Sequence, residues 1–290
     1  MNIRQPIRAG SFYEASAASC KHHAAKLLDS VTLRDDLPSR LYGGLLPHAG
    51  WMYSGALAAE TLKTLHAAQP LETIVLLGAD HVGLVSQGEV YPSGVWRTPM
   101  GDVPVNQQLA SALIDSADCL RANPEAHSRE HSLEVQVPLI QVLAPEAQIV
   151  PIAVPPSESA TEIGKAIGRV LAEQFPNACV IGSTDLTHHG GHFPTPGGHG
   201  KAGEQYTRAN DRRMLDLVEA LDAEAVVSES AAHQNACGAG AIAATVAACK
   251  QMGATRGICL HYTNSYCIVH SLYPDEADDT TVGYAAVVFA

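Results

Sequence analysis

Three strand-sized apolar runs in this chain each lead into residues that handle metals or protons. Tyr42-Gly-Gly-Leu-Leu-Pro leads into His48, Thr73-Ile-Val-Leu-Leu-Gly-Ala into Asp80-His81, and Ala178-Cys-Val-Ile-Gly-Ser-Thr into Asp185. After His48 comes a glycine-bracketed stretch, residues 49–55, read as a loop. An Ala/Leu-rich helix follows to about His66, and then the strand at 73–78. Strand, loop, helix and strand in that order are the signature of a βαβ unit and a parallel sheet. Apolar spacing predicts further helices over 16–30, 105–117, 160–174, 205–221 and 236–250, and strands over 148–154, 179–183, 257–262 and 282–289. Residues 84–105 alternate in short Pro/Gly-punctuated runs and predict a β-hairpin. Glu130 opens a helix checked or kinked at Pro138. A Gly/Pro/His-rich loop covers 188–203. Neither a linker nor a repeat divides the chain, so residues 1–290 are expected to form one α/β domain. Its mostly parallel or mixed sheet would be flanked by helices. Open α/β sheets bind ligands beyond the carboxyl ends of their strands, so His48, His81 and Asp185 are expected to meet at one sheet edge.

Charge narrows the partners. Eighteen Lys and Arg against thirty Asp and Glu give a net charge of −12, without the basic clusters that nucleic acid or an anionic membrane requires. The longest apolar stretches fall short of the roughly 20 residues that span a bilayer. The amino terminus has no apolar signal-type region, and the seven cysteines form neither a paired framework nor CxxC sites. A cytoplasmic protein with reduced thiols is expected. The apolar fraction of 46% is compatible with a homo-oligomer.

Fourteen histidines are many for this length. His48, between Pro47 and Ala49-Gly50, and His81 after the next strand are read as ligands, the alternative being loop histidines satisfied by hydrogen bonds. Asp185 and His188 lie three apart at a strand end. If that turn is helical both point one way, as a proton-handling pair needs; the alternative is an aspartate capping a helix. Cys237, in Asn235-Ala-Cys-Gly-Ala-Gly, sits at the expected start of a helix, where the dipole favours thiolate. Cys249, Cys259 and Cys267 read as packing residues. Glu130 and His131 are candidates to support the ligands from behind. His189, His192 and His199 read as a mobile surface segment. Trp51, Tyr53 and Trp96 either wall a pocket or belong to the core.

Several motifs, in order along nearly the whole chain, resemble the Memo family, whose prokaryotic members are described as protein B of the AmmeMemoRadiSam system. They are Arg8-Ala-Gly-Ser-Phe-Tyr13, Pro47-His-Ala-Gly-Trp-Met-Tyr-Ser-Gly55, Gly78-Ala-Asp-His81, Trp96-Arg-Thr-Pro-Met-Gly101, Glu130-His-Ser-Leu-Glu-Val-Gln-Val-Pro138, Ser183-Thr-Asp-Leu-Thr-His188 and Cys237-Gly238. The resemblance implies a fold like that of class III extradiol ring-cleaving dioxygenases, in which two His and a carboxylate hold Fe(II) and a further His moves protons. Carried over, His48 and His81 would be the imidazole ligands and Cys237 the third. His188, with Asp185, would be the acid/base. A thiolate in place of the carboxylate favours copper or zinc more than the dioxygenase set does. Asp80 departs from the family's Pro-(Ser/Asn)-His and puts a charge beside the metal or into solvent. The resemblance implies an Fe(II)-dependent, or copper-dependent, oxygenase acting on a catechol-like or other chelating molecule, with a radical-SAM system partner or a peptide as possible company. Two other readings stay open: a hydrolase with Cys237 as nucleophile, His188 as base and Asp185 orienting it, and a non-catalytic metal- or peptide-binding protein.

Overall fold

Where helices cover both faces of a sheet, its strands read as continuous apolar runs, and those runs here become its centre. In the computed structural model, which describes residues 2–191, 193, 196–273 and 280–290, the strands in chain order are β1 (Ile3–Arg4), β2 (Gly43–Leu46), β3 (Thr73–Gly78), β4 (Gly88–Val90), β5 (Val95–Thr98), β6 (Gly101–Pro104), β7 (Leu120–Ala122), β8 (Gln148–Ala153), β9 (Cys179–Ser183), β10 (His188–His189), β11 (Gly257–Asn264) and β12 (Thr281–Phe289). The helices are α1 (Ala17–Asp29), α2 (Trp51–Ala68), α3 (Gln107–Ser116), α4 (Val137–Leu143), α5 (Ser159–Gln174), α6 (Gly200–Glu219), α7 (Ala223–His233), α8 (Ala239–Met252) and α9 (Ser265–Leu272).

The large sheet runs β10-β12-β2-β9-β3-β8-β4-β7, with β11 also on β12. Its centre is parallel: β9 lies between β2 and β3, and β8 flanks β3. β12 runs antiparallel to β2, and β4 antiparallel to β8 but parallel to β7, so the sheet is mixed. Alternate side chains feed two separate cores. Val75 and Leu77 join Val150, Ile152 and Val180 on the face covered by α3, α5 and α8. Ile74 and Leu76 join Ile149 and Ile181 on the face covered by α1, α2 and α4. The result is a three-layer α/β domain. The pairs β2/β9 and β3/β9 end side by side, and the loops that follow them meet at one edge.

Several expectations change in detail. The 49–55 loop is mostly helix: α2 starts at Trp51, whose N–H donates to the Phe12 carbonyl at 2.8 Å. Only β5 and β6 form the hairpin in 84–105, because β4 is drawn into the large sheet. Residues 130–133 turn without forming a helix, since their amides bind the Glu130 carboxylate. Pro138 sits in the first turn of α4, where its missing N–H costs nothing. The segment after Asp185 is extended, with Leu186 N–H on Gly283 O and Thr187 N–H on the Asp211 carboxylate. Asp185 and His188 therefore share no helical turn, and Asp185 caps no helix. Helices α7 and α9 had no counterpart in the apolar pattern.

Candidate metal centre

The site is built on the ends of three adjacent strands. His48 follows β2, His81 follows β3, and Cys237 arrives from the turn before α8, held against the end of β9. Cys237 N–H donates to the Asp185 carbonyl at 3.2 Å, and Asp185 N–H points at Cys237 Sγ at 3.3 Å. Gly238 makes this approach possible: a Cβ there would lie 2.8 Å from the Ser183 carbonyl. The helix begins one residue later, at Ala239, so Cys237 stands just outside it.

Potential ligand atoms of His48, His81 and Cys237 all lie within 4.8 Å of one another. Hydrogen bonds fix which ring nitrogens face inward. The Ser183 hydroxyl donates to Ser132 O at 2.8 Å, so it accepts from His48 Nδ1 at 3.0 Å. That leaves the His48 Nε2 lone pair toward Cys237 Sγ, 3.3 Å away. The Glu130 carboxylate accepts the His81 ring N–H at 2.9 Å and its backbone N–H at 2.7 Å, which frees His81 Nε2 in the same way. Two imidazoles with anchored Nδ1 atoms and a facing thiol are the donor arrangement of a transition-metal site, so the residues fit such an ion.

Without an ion, protons occupy this space. Burial raises the Cys237 pKa, but the neighbouring His48 and hydrogen bonds from both rings outweigh that and bring the thiol down to about 7. Burial works against charge on His81 too, yet the Cys237 and Glu130 contacts prevail and raise it to about 10. Glu130, buried, is held well below its ordinary range by the His81 ring and by the His81 and Ser132 amides. His131 stands 4.8 Å from the His81 ring and 5.5 Å from the His48 ring, and burial plus these neighbours push it down to about 3. His81, Glu130 and His131 form a second compact group. The Glu130 oxygens already accept the ring and amide N–H groups of His81 and the amides of His131 and Ser132, which makes Glu130 an orienting carboxylate.

Asp185 is buried, and its Oδ1 accepts His48 N–H at 2.7 Å. Burial raises its pKa, and the nearby His188 opposes that rise. His188 is half-buried and donates Nδ1–H to Leu186 O at 3.0 Å, leaving Nε2 available. Among the described residues no hydrogen bond joins His188 to Asp185 or to Cys237. The structure thus does not assemble the Cys237–His188–Asp185 relay that the hydrolase reading needs; the thiol's imidazole partners are His48 and His81.

Other candidates resolve structurally. Asp80 accepts the amides of Leu84 and Val85 at 3.1 Å and so closes its own loop. His189 is a buried strand residue with Nε2 2.7 Å from Gly198 O, not a surface group. His192 lies outside the described residues. Trp51 and Trp96 are each 2% exposed and belong to the core, while Tyr53 packs against it half-buried. Cys249 is fully buried, but Cys259 and Cys267 are only half-buried. Ser183 and Gln136 were missed. Gln136 donates to Pro47 O at 2.7 Å and holds the strand end that carries His48. Polar side chains within buried apolar segments were the available signal. Surface clefts of about 500 Å³ between α6 and β11, and about 520 Å³ between α5 and α7, contain none of His48, His81, Glu130, His131 and Cys237. Converging ligands, not cavity size, define the site.

Comparison with known proteins places the chain. A family model described as "Memo-like protein" matches residues 4–288. A MEMO1 family protein of Methanopyrus kandleri is 36% identical over 300 residues, covering 99% of this chain and 98% of that protein. Another, from Methanothermobacter thermautotrophicus, is 33% identical over 273 residues, covering 91% and 94%. Among solved structures, an uncharacterized protein of Escherichia coli K12 shares the fold with a TM-score of 0.50 and 11% identity, over 84% of this chain and 99% of that one. No helix among the described residues is long and apolar enough to cross a membrane.

Proposed function

The chain belongs to the Memo family, and on that premise we propose that it is a metal-binding protein whose His48, His81 and Cys237 hold one redox-active ion in a dioxygenase-like pocket. The observation that carries this reading is the convergence of two fixed Nε2 lone pairs on one thiol. Fe(II) is the first candidate, with copper next because a thiolate is a softer donor than a carboxylate. A bound ion would supply open coordination positions for oxygen and for a catechol-like or other chelating substrate. The protein's own part is to present the ligands in one tautomer, to hold Cys237 as thiolate, and to keep His188 Nε2 ready for a proton. Asp185, buried behind the His48 backbone, accepts the His48 N–H and fixes the strand end that carries that ligand.

The test is metal content of protein purified anaerobically without an affinity tag, beside the His48→Ala/Cys237→Ala double variant. Wild type should retain about one equivalent of ion per chain, as one three-donor site implies, and the double variant essentially none. His188→Ala should keep the ion and lose oxygen uptake with catechols. Failure of wild type to retain Fe(II), Cu(I) or Zn(II) after reconstitution would sink the proposal.

A further inference from the structure

Charged groups taken out of water carry partners in nearly every folded protein. The buried cation Arg4 conforms: its guanidinium pairs with the Glu134 carboxylate and donates to the Glu130 and His127 carbonyls. Arg8 does not. Its Nε is shut off from solvent with no hydrogen-bond partner, and among the described residues its guanidinium makes no ion pair. Glu134 is close in space but committed elsewhere. It takes the Arg8 backbone N–H at 2.7 Å, the Tyr13 hydroxyl at 2.7 Å and the Ile7 N–H at 2.9 Å, and its charge is matched by Arg4.

Arg8 is also in a telling place. Its Cζ lies 4.9 Å over the Phe12 ring, and Phe12 meets His131 edge-on at 5.3 Å. His131 in turn contacts His81 and His48. The chain from the unpaired guanidinium to the candidate ligands is therefore three aromatic contacts long. Stacking on Phe12 uses one face of the guanidinium, and with Nε shut off from solvent the Nη edge is the one left for a ligand. The backbone beneath is fixed by the Glu134 contacts and by Trp51 N–H on Phe12 O, so the cation is held in position before any ligand arrives.

We propose that Arg8 forms an anion subsite at the mouth of the metal centre. It would take the carboxylate, or a comparable oxyanion, of an organic ligand whose other end reaches the ion. A planar guanidinium fork suits a carboxylate. The inference rests on His48, His81 and Cys237 being the ligand set, but it is testable apart from it. The probes are 3,4-dihydroxybenzoate and 3,4-dihydroxybenzamide, alike except for the charged group. Their binding is measured by titration calorimetry to metal-free and metal-loaded protein, with metal content determined on the same samples. Wild type should bind the acid about tenfold tighter than the amide, as a charge-assisted pair implies. Arg8→Met should bind the two within about twofold, with its amide affinity unchanged, and Arg8→Lys should fall between. A thermal melt of each variant separates loss of the subsite from loss of the fold. An acid bound no better than the amide by wild type, including no binding of either, overturns the proposal, as does an acid preference that survives in Arg8→Met. Absence of retained metal would instead count against the ligand set, and the metal-free titration would still report on Arg8.

Discussion

A histidine that accepts no metal still has to put its protons somewhere, and the hydrogen bonds behind His48 and His81 decide where. Ser183 takes the His48 Nδ1 proton only because its own hydroxyl proton is committed to Ser132 O. Ser183→Ala should leave the fold intact and weaken metal binding about 10- to 100-fold, the usual effect of losing such a supporting contact, read by competition with a chromogenic chelator. The same coupling makes the metal-free protein respond to pH in a particular way. The Cys237 thiol is lowered from 9.0 to about 7, so its contribution to stability is present above pH 9 and is lost as pH falls through 7. His81 is raised from 6.5 to about 10, so its contribution is present below 6.5 and is lost as pH rises through 10. Between about 7 and 9 the two slopes oppose each other. Urea midpoints of metal-free wild type should be nearly flat there, whereas Cys237→Ser, with the thiol gone and His81 raised by Glu130 alone, should lose stability gently with rising pH. The three candidate ligand positions were legible because each stands at the end of an apolar run or in a glycine-rich turn. Ser183 was not, since nothing in one sequence says that a strand-end serine faces a ring at the end of the neighbouring strand.

Elements position these residues through contacts distant in sequence. The amino-terminal segment, residues 2–13, runs over the site loops and is pinned by Arg4 to the Glu134 carboxylate and to the carbonyl of Glu130, the residue that orients His81. Both members of the pair are buried, so truncating one leaves an uncompensated charge. Arg4→Met should cost about 3–5 kcal/mol in urea unfolding, and adding Glu134→Gln should return part of that loss. An undiminished midpoint in the single variant would mean that the segment is held by its apolar contacts alone. Long-range partners also explain where the element reading failed. Asp185–His188 has helical spacing, but Gly283 and Asp211 take the amides of Leu186 and Thr187 and draw the segment out beside β12. The 130–133 turn is set by a carboxylate that binds its own following amides. Periodicity senses burial of faces, and neither event changes which faces are apolar.

For the whole molecule, the apolar runs indicated a parallel sheet with its chemistry at one edge, but not the strand order. β9 inserts between β2 and β3 although roughly 130 and 100 residues respectively separate it from them, and that insertion brings Cys237, carried by the turn that packs on β9, between the two histidines. The site thus depends on the complete central sheet, since its candidate ligands come from residues 48, 81 and 237. An ion bound there should stabilise the native state and have little affinity for the unfolded chain. At a free concentration one hundred times its Kd the gain is about 2.7 kcal/mol. For 290 residues that corresponds to a rise in Tm of about 4 °C. Calorimetry of metal-free and reconstituted protein should show one transition that moves upward as a unit, by a similar amount in His188→Ala and not at all in His48→Ala/Cys237→Ala. A shift in the double variant would place the ion elsewhere, among the other histidines. A transition that splits on loading would mean that the ligand-bearing strands and the rest of the sheet unfold separately, contrary to a site assembled from three distant parts of one sheet.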